Sequence, residues 1–214
     1  MLTARLARMP HDSRTLRQVA ELHATSIDQG FLSSLGPQFL IALYRAIDRS
    51  SSGTLIVARD STRVIGFVSG GSGMGPIYRE MLRDWPTLTV ALAPLLLRPS
   101  KVLGILEILR RGGGRQGAGD LPAWELFSIA VVPSARGSEV AERLYQALCA
   151  HFRDQGIEAF RIVVGNSLDR ARRFYIRVGA VPTATVRLHG DAVSTIYVHR
   201  LTEDRTASTH GERS

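Results

Sequence analysis

A chain of 214 residues that is 44% hydrophobic and 21% charged has the makeup of a globular domain and is too apolar to stay disordered. The net charge of +8 rests on arginine, with Lys101 the one lysine. No basic run exceeds three residues or interleaves with aromatics, which argues against a nucleic-acid partner. Cys149 stands alone, which excludes an intramolecular disulfide and a cysteine-based metal site.

The first ten residues, MLTARLARMP, lack the apolar core and cleavage site of a secretory signal. The most apolar segment, residues 88–97, is too short to span a bilayer and contains Pro94. The expectation is a cytoplasmic protein with no membrane span. In chain order, residues 4–9 predict a short edge strand. Helical spacing follows over residues 13–27 through Leu16, Val19, Ala20, Leu22 and His23, with Ser13 as N-cap. A second helix over residues 37–47 runs through Phe39, Leu40, Leu43, Tyr44 and Ile47, with Pro37 in its first turn. Gly30 separates the two. After the Ser50-Ser51-Ser52-Gly53 loop, strands over residues 54–59 and 63–70 predict a hairpin about Asp60-Ser61-Thr62.

Residues 76–111 read as a helical insert, with short helices over 77–84, 88–97 and 102–110 punctuated by Pro86, Pro94 and Pro99, then a glycine-rich loop over 112–119. An apolar insert of this kind suits an acceptor lid or a homodimer face, ahead of a lipid-contacting patch. Residues 123–132 form an apolar strand stopped by Pro133, followed by an Arg136-Gly137 turn and a helix over residues 140–152. A buried strand over 159–164, a helix over 169–178 ending at Gly179, and strands over 185–188 and 194–200 about His189-Gly190-Asp191 complete a single domain over residues 1–201. Residues 202–214 are polar, with the composition of a disordered tail.

A strand that feeds a helix start offers free N–H groups and the positive end of the helix dipole to an anion. Here that unit carries a carboxylate, Glu125, on the same strand. Strand alternation puts Glu125, Phe127 and Ile129 on one face and Trp124, Leu126 and Ser128 on the other.

Two blocks then stand in series. Val131-Val132-Pro133-Ser134-Ala135-Arg136-Gly137-Ser138-Glu139-Val140-Ala141 has the form V-x-P-x-x-R-G-x-G-x-G/A. Ala171-Arg172-Arg173-Phe174-Tyr175-Ile176-Arg177-Val178-Gly179-Ala180 has the form A-x-x-F-Y-x-x-x-G-F. At this spacing they resemble the GNAT superfamily of N-acetyltransferases over residues 124–180, while residues 6–70 match in element order alone. The resemblance implies an α/β fold: a mixed, mostly antiparallel central sheet of six or seven strands, with helices on both faces and the insert as an addition. It implies transfer of an acetyl or small acyl group from acetyl-CoA to an amine by direct attack, with no metal. The acceptor it suggests is a small metabolite amine such as an amino sugar. Backbone of Ile129, Ala130 and Val131 would pair with the pantetheine arm. Amides of Arg136, Gly137, Ser138, Glu139, Val140 and Ala141 would hold the pyrophosphate.

Two positions depart from the pattern: Glu139 replaces the second loop glycine, and Leu168 stands where an asparagine often precedes the helix. These departures fit a rival reading, a degenerate member that senses CoA or binds a partner without catalysis. The resemblance makes Tyr175 the general acid for the leaving thiolate, against a core aromatic on a stripe with Leu168, Ala171 and Val178. It makes Glu125, partly desolvated between Trp124 and Leu126, a general base, against a strand-edge glutamate paired with an arginine. The backbone N–H of Val131 becomes the oxyanion donor, and His23 lies where acceptor pockets are shaped. Cys149 reads as a small buried residue, and Asp169 with Arg173 as a helix-surface pair at i, i+4.

Overall fold

The computed structural model describes residues 5–8, 10–27, 35–84, 121–189 and 192–201. The helices expected over 88–97 and 102–110, the glycine-rich loop and the polar tail lie outside the described residues. The described elements are β1 (Arg5–Arg8), α1 (Ser13–Ser26), α2 (Pro37–Arg49), β2 (Gly53–Asp60), β3 (Arg63–Gly71), α3 (Met74–Arg83) and β4 (Glu125–Val131). After a 3-10 turn at Pro133–Ala135 come α4 (Val140–Asp154), β5 (Ala159–Gly165), α5 (Asp169–Arg177), β6 (Val181–His189) and β7 (Ala192–Arg200).

Local chemistry sets several boundaries. Asp12, not Ser13, caps α1: it is extended at φ −70° and ψ 162°, and its carboxylate accepts from the Thr15 amide at 2.8 Å. Ser13 is already helical, and a carboxylate one residue earlier satisfies the free amide. Pro37 opens α2, where a missing N–H costs nothing. The β2–β3 turn is tighter than the sequence suggests. Asp60 pairs with Arg63, so only Ser61 and Thr62 lie in the turn, with Ser61 at φ 51°. Strand β6 starts two residues after Gly179 and is longer than residues 185–188, because its pairing with β7 runs from Val181↔Val198 to His189↔Ala192.

The seven strands form one sheet in the order β1-β2-β3-β4-β5-β7-β6. Every neighbouring pair is antiparallel except β4 with β5. Helices α1, α2 and α3 cover one face, packing Leu16, Val19, Leu40, Leu43 and Ile77 on Leu55, Val57, Phe67 and Ala130. Helices α4 and α5 cover the other, packing Leu144, Leu148 and Phe152 on Ile56, Val68, Leu126 and Ile162. Strand alternation divides each buried strand between these two cores.

The alternation breaks once where it matters most. In the β3–β4 register Ser69 pairs with Ser128 and Gly70 with Leu126, leaving Phe127 as the extra residue of a β-bulge. Phe127 packs against the α1–α3 core, and Ser128, the cross-strand mate of Ser69, faces that same side. Ile129 instead packs against the α4–α5 core. The expected grouping of Glu125, Phe127 and Ile129 on one face therefore fails, because one inserted residue inverts everything beyond it. Gly70 allows this tight join: a Cβ there would sit 2.8 Å from both the Glu125 carbonyl oxygen and the Phe152 ring.

Candidate active site

Strands β4 and β5 pair only at Glu125↔Arg161 and Leu126↔Ile162, with the Arg161 amide donating to the Trp124 carbonyl at 2.8 Å. Beyond Leu126 they part, while β4 continues beside β3 to Val131 and β5 beside β7 to Gly165. The result is a fork whose inner edges, residues 127–131 and 163–165, have no strand partner among the described residues. The Val132 amide donates to Ile65 of β3 at 2.9 Å, so by alternation the Val131 amide faces the fork. An extended ligand with its own amide groups fits between such edges, as a missing strand would.

The open end of the fork runs into the start of α4. Pro133–Ala135 makes one 3-10 turn, and Gly137 follows at φ 82°, a backbone region that L side chains rarely adopt. Ser138 is tied back through its hydroxyl to the Ala135 carbonyl at 2.6 Å. The amides of Gly137, Glu139, Ala141 and Glu142 make no hydrogen bond among the described residues. Converging free amides at a helix start are a fit for a diphosphate. Glu139 has φ −70° and ψ −1°, ordinary right-handed values, and an exposed side chain with no capping bond. The glycine of the motif is therefore not needed here for backbone conformation, and the substitution adds a charge rather than strain.

The two candidate catalytic side chains flank the fork from opposite layers. Glu125 lies on the α1–α3 side. Arg161 Nε donates to its Oε2 at 3.0 Å, with NH2 2.9 Å from the same oxygen, and the Glu125 side chain is about one-fifth exposed. Tyr78 of α3, 8% exposed, shares this layer; burial, with the Glu125 charge adding to it, pushes its phenol up to about 12. Tyr175 is 5% exposed on the α4–α5 side, 6.2 Å from Tyr145 and 6.3 Å from Tyr197 between ring centroids. Tyr197 pairs with Ile162, the last β5 residue joined to β4, so the Tyr175 ring packs beside the fork's closed end. Burial pushes the Tyr175 phenol well above its ordinary value.

Other expected residues fall as follows. His23 is buried at 3% exposure, its Nδ1 2.6 Å from the Tyr44 hydroxyl, and desolvation lowers it to about 4. Cys149 is a buried thiol pushed up to about 12 by desolvation. Leu168 is 39% exposed and does not share the buried stripe with Tyr175. It precedes the first turn of α5 and faces solvent. Asp169 pairs with Arg172 at i, i+3 (3.4 Å), not with Arg173, because Arg172 also reaches the Asn166 carbonyl and the Tyr197 hydroxyl. Ile129 and Ala130 lie on the forked stretch of β4, and Arg136 is exposed beside the loop amides. Two residues went unnoticed in the sequence, Arg161 and Tyr78. A lone arginine inside the apolar strand Ala159–Gly165 is the signal that could have found the first.

Among the described residues no helix is long and apolar enough to cross a membrane. None of the curated protein sequences matches the chain. Solved structures share its fold at low identity. N-acetyltransferase from Staphylococcus aureus Mu50 is 14% identical with a TM-score of 0.59, over 92% of this chain and 99% of that one. Ard1 from Thermoplasma volcanium is 15% identical with a TM-score of 0.59, over 94% and 99%. The yncA protein of Salmonella typhimurium, solved with its cofactor acetyl-CoA, is 13% identical with a TM-score of 0.59, over 99% and 98%. The model of the acetyltransferase (GNAT) family matches residues 19–180, both blocks and most of the sheet included, and the chain belongs to that family.

Proposed function

We propose that this protein transfers an acetyl or small acyl group from acyl-CoA to the primary amine of a small metabolite, with an amino sugar the first class to try. The observation that carries the reading is the fork of β4 and β5 opening onto the unspent amides of Gly137, Glu139, Ala141 and Glu142. Those amides would hold the pyrophosphate, with Arg136 beside them. Ile129, Ala130 and Val131 would pair with the pantetheine arm. The co-substrate supplies the acyl group as a thioester.

In this reading Glu125 takes the proton of the acceptor ammonium at Oε1, since Oε2 is held by Arg161. The amine lone pair forms the C–N bond, and the C–S bond electrons leave on sulfur. The Val131 N–H faces the oxygen that gains charge. Tyr175 carries its proton throughout the neutral range, the form required of a donor to the leaving sulfur.

Calorimetry with CoA and acetyl-CoA, followed by thiol release across a panel of amines, tests the proposal. Binding with turnover on amino sugars supports it. Binding without turnover on any amine favours the CoA-sensing reading, and no binding at millimolar ligand overturns the CoA site. Turnover on peptide amines but not on small ones would overturn the acceptor class alone. Fractionation of the native host tests a cytoplasmic location, and light scattering tests a homodimer.

A further inference from the structure

Strand β5 is apolar apart from Arg161, and Phe160, Ile162 and Val164 all pack in the α4–α5 core. Alternation puts Arg161 on the opposite face of the sheet, where the parallel pairing sets it beside Glu125. A partly desolvated guanidinium is costly unless its donors find partners.

The contact with Glu125 uses only part of what each side chain offers. A guanidinium donates from every nitrogen, and a carboxylate accepts on both oxygens. Here Nε donates to Oε2 at 3.0 Å, and NH2 lies 2.9 Å from the same oxygen. Glu125 Oε1 and Arg161 NH1 have no hydrogen-bond partner among the described residues. Neither is among the buried polar atoms that lack a partner, so both are open to solvent. Side-chain exposures of 28% for Arg161 and 21% for Glu125 agree with this.

The pair therefore presents a free acceptor and a free donor side by side. An arginine whose sole task was to hold the carboxylate would engage both oxygens and leave nothing over for a ligand. Two rigid planar groups in contact keep their free ends at a fixed, short separation. A ligand that fills both carries an ammonium for Oε1 and an oxygen for NH1, close together on its skeleton.

We propose that Arg161 selects the acceptor: NH1 donates to an oxygen on the carbon next to the one that bears the amine. The class is a vicinal amino alcohol, as in a 2-amino sugar, or an α-amino acid, whose carboxylate offers an oxygen at the same place. The proposal rests on acyl transfer with Glu125 as the base, and it narrows the acceptor from any small amine to this class.

The test uses amine pairs with and without that oxygen: trans-2-aminocyclohexanol against cyclohexylamine, and L-alanine against isopropylamine. Thiol release from acetyl-CoA reads kcat/KM, and calorimetry on protein saturated with CoA reads amine affinity. The unaltered protein should favour the oxygen-bearing member about tenfold in both readings, the worth of one hydrogen bond from a charged donor. Arg161→Lys keeps a cation for Glu125 but no second nitrogen, and Arg161→Met removes the charge. Both should slow every amine and bring the ratio to about one. An arginine that only positions Glu125 would slow both members alike and leave the ratio intact. An intact ratio in either folded variant overturns the proposal, as does an unaltered protein without the preference. Preference in the aminocyclohexanol pair alone assigns the hydroxyl class, and in the alanine pair alone the carboxylate class; either supports it. If Arg161→Met does not fold, Arg161→Lys decides. Turnover without preference removes this inference and leaves the proposed function standing. If no amine turns over, the proposed function fails, while the calorimetric ratio still judges Arg161.

Discussion

Arg161 grips Glu125 by a single oxygen: Nε and NH2 converge on Oε2, and Oε1 accepts no hydrogen bond from the described residues. A carboxylate held in a fork-to-fork pair would have both oxygens occupied. Here the arginine fixes the side chain's direction and leaves one oxygen for another proton.

Replacing Glu125 with Gln keeps an oxygen for Arg161 and removes the base. We expect kcat/KM for the amine to fall about 100-fold or more, with CoA affinity unchanged. Steady-state kinetics beside calorimetry check this. An unaltered rate would remove Glu125 from the chemistry and leave its ion pair as its role.

Tyr175→Phe should keep the ring packing on Tyr145 and Tyr197 and lose only the hydroxyl. We expect kcat to fall roughly tenfold or more, with the melting temperature within a few degrees of the parent. An unchanged kcat would make Tyr175 a core aromatic only.

The charge at Glu139 opposes an anionic ligand at the helix start, although its backbone is unstrained. Glu139→Gln should tighten CoA binding about two- to fivefold at low salt, with the gain shrinking as salt rises. Calorimetry at two ionic strengths decides it. Weaker binding in the variant would give the carboxylate a supporting role.

Histidine 23 makes stability depend on pH. Its folded-state value of about 4 lies below the unfolded value near 6.5, so between the two the unfolded chain binds the extra proton. Stability is therefore complete above about pH 6.5, declines as pH falls toward 4, and levels off below. At 1.4 kcal/mol per unit the loss is at most about 3 kcal/mol. Urea unfolding from pH 8 to 4 measures it, and His23→Gln should flatten the slope.

Gly70→Ala places a methyl group 2.8 Å from the Glu125 carbonyl and the Phe152 ring. Backbone on one side leaves little room to relax, so a loss of about 1–3 kcal/mol is expected. Thermal unfolding reads it as a drop of several degrees. An unchanged midpoint would show that β3, β4 and α4 can separate there without cost.

Much of this architecture was legible because periodicity carries it. Leu16, Val19 and Leu22 mark a helical face, and Phe160, Ile162 and Val164 mark one face of a strand. The loop at Gly137 and the helix ending at Gly179 could be read because a positive φ restricts the residue type. The bulge could not be read. Glu125 to Val131 alternates well enough on paper, and only the Ser69↔Ser128 and Gly70↔Leu126 pairings show where the extra residue sits. The Glu125–Arg161 contact was half legible: a partner of that type is a natural expectation, but which arginine depends on a parallel pairing 36 residues away. His23 looked like a pocket residue because its partner, Tyr44, lies on the next helix and forms no motif with it.

The placement of Glu125 and Tyr175 in different layers has a kinetic meaning. With the proposed base above the sheet and the proposed acid below it, the reacting line passes through the fork rather than along one surface. Donor and acceptor would then reach the same bond from opposite sides, each with its own route, and neither need leave before the other arrives. Initial-rate plots should intersect, as for a ternary complex, and free CoA should compete with acyl-CoA but not with the amine.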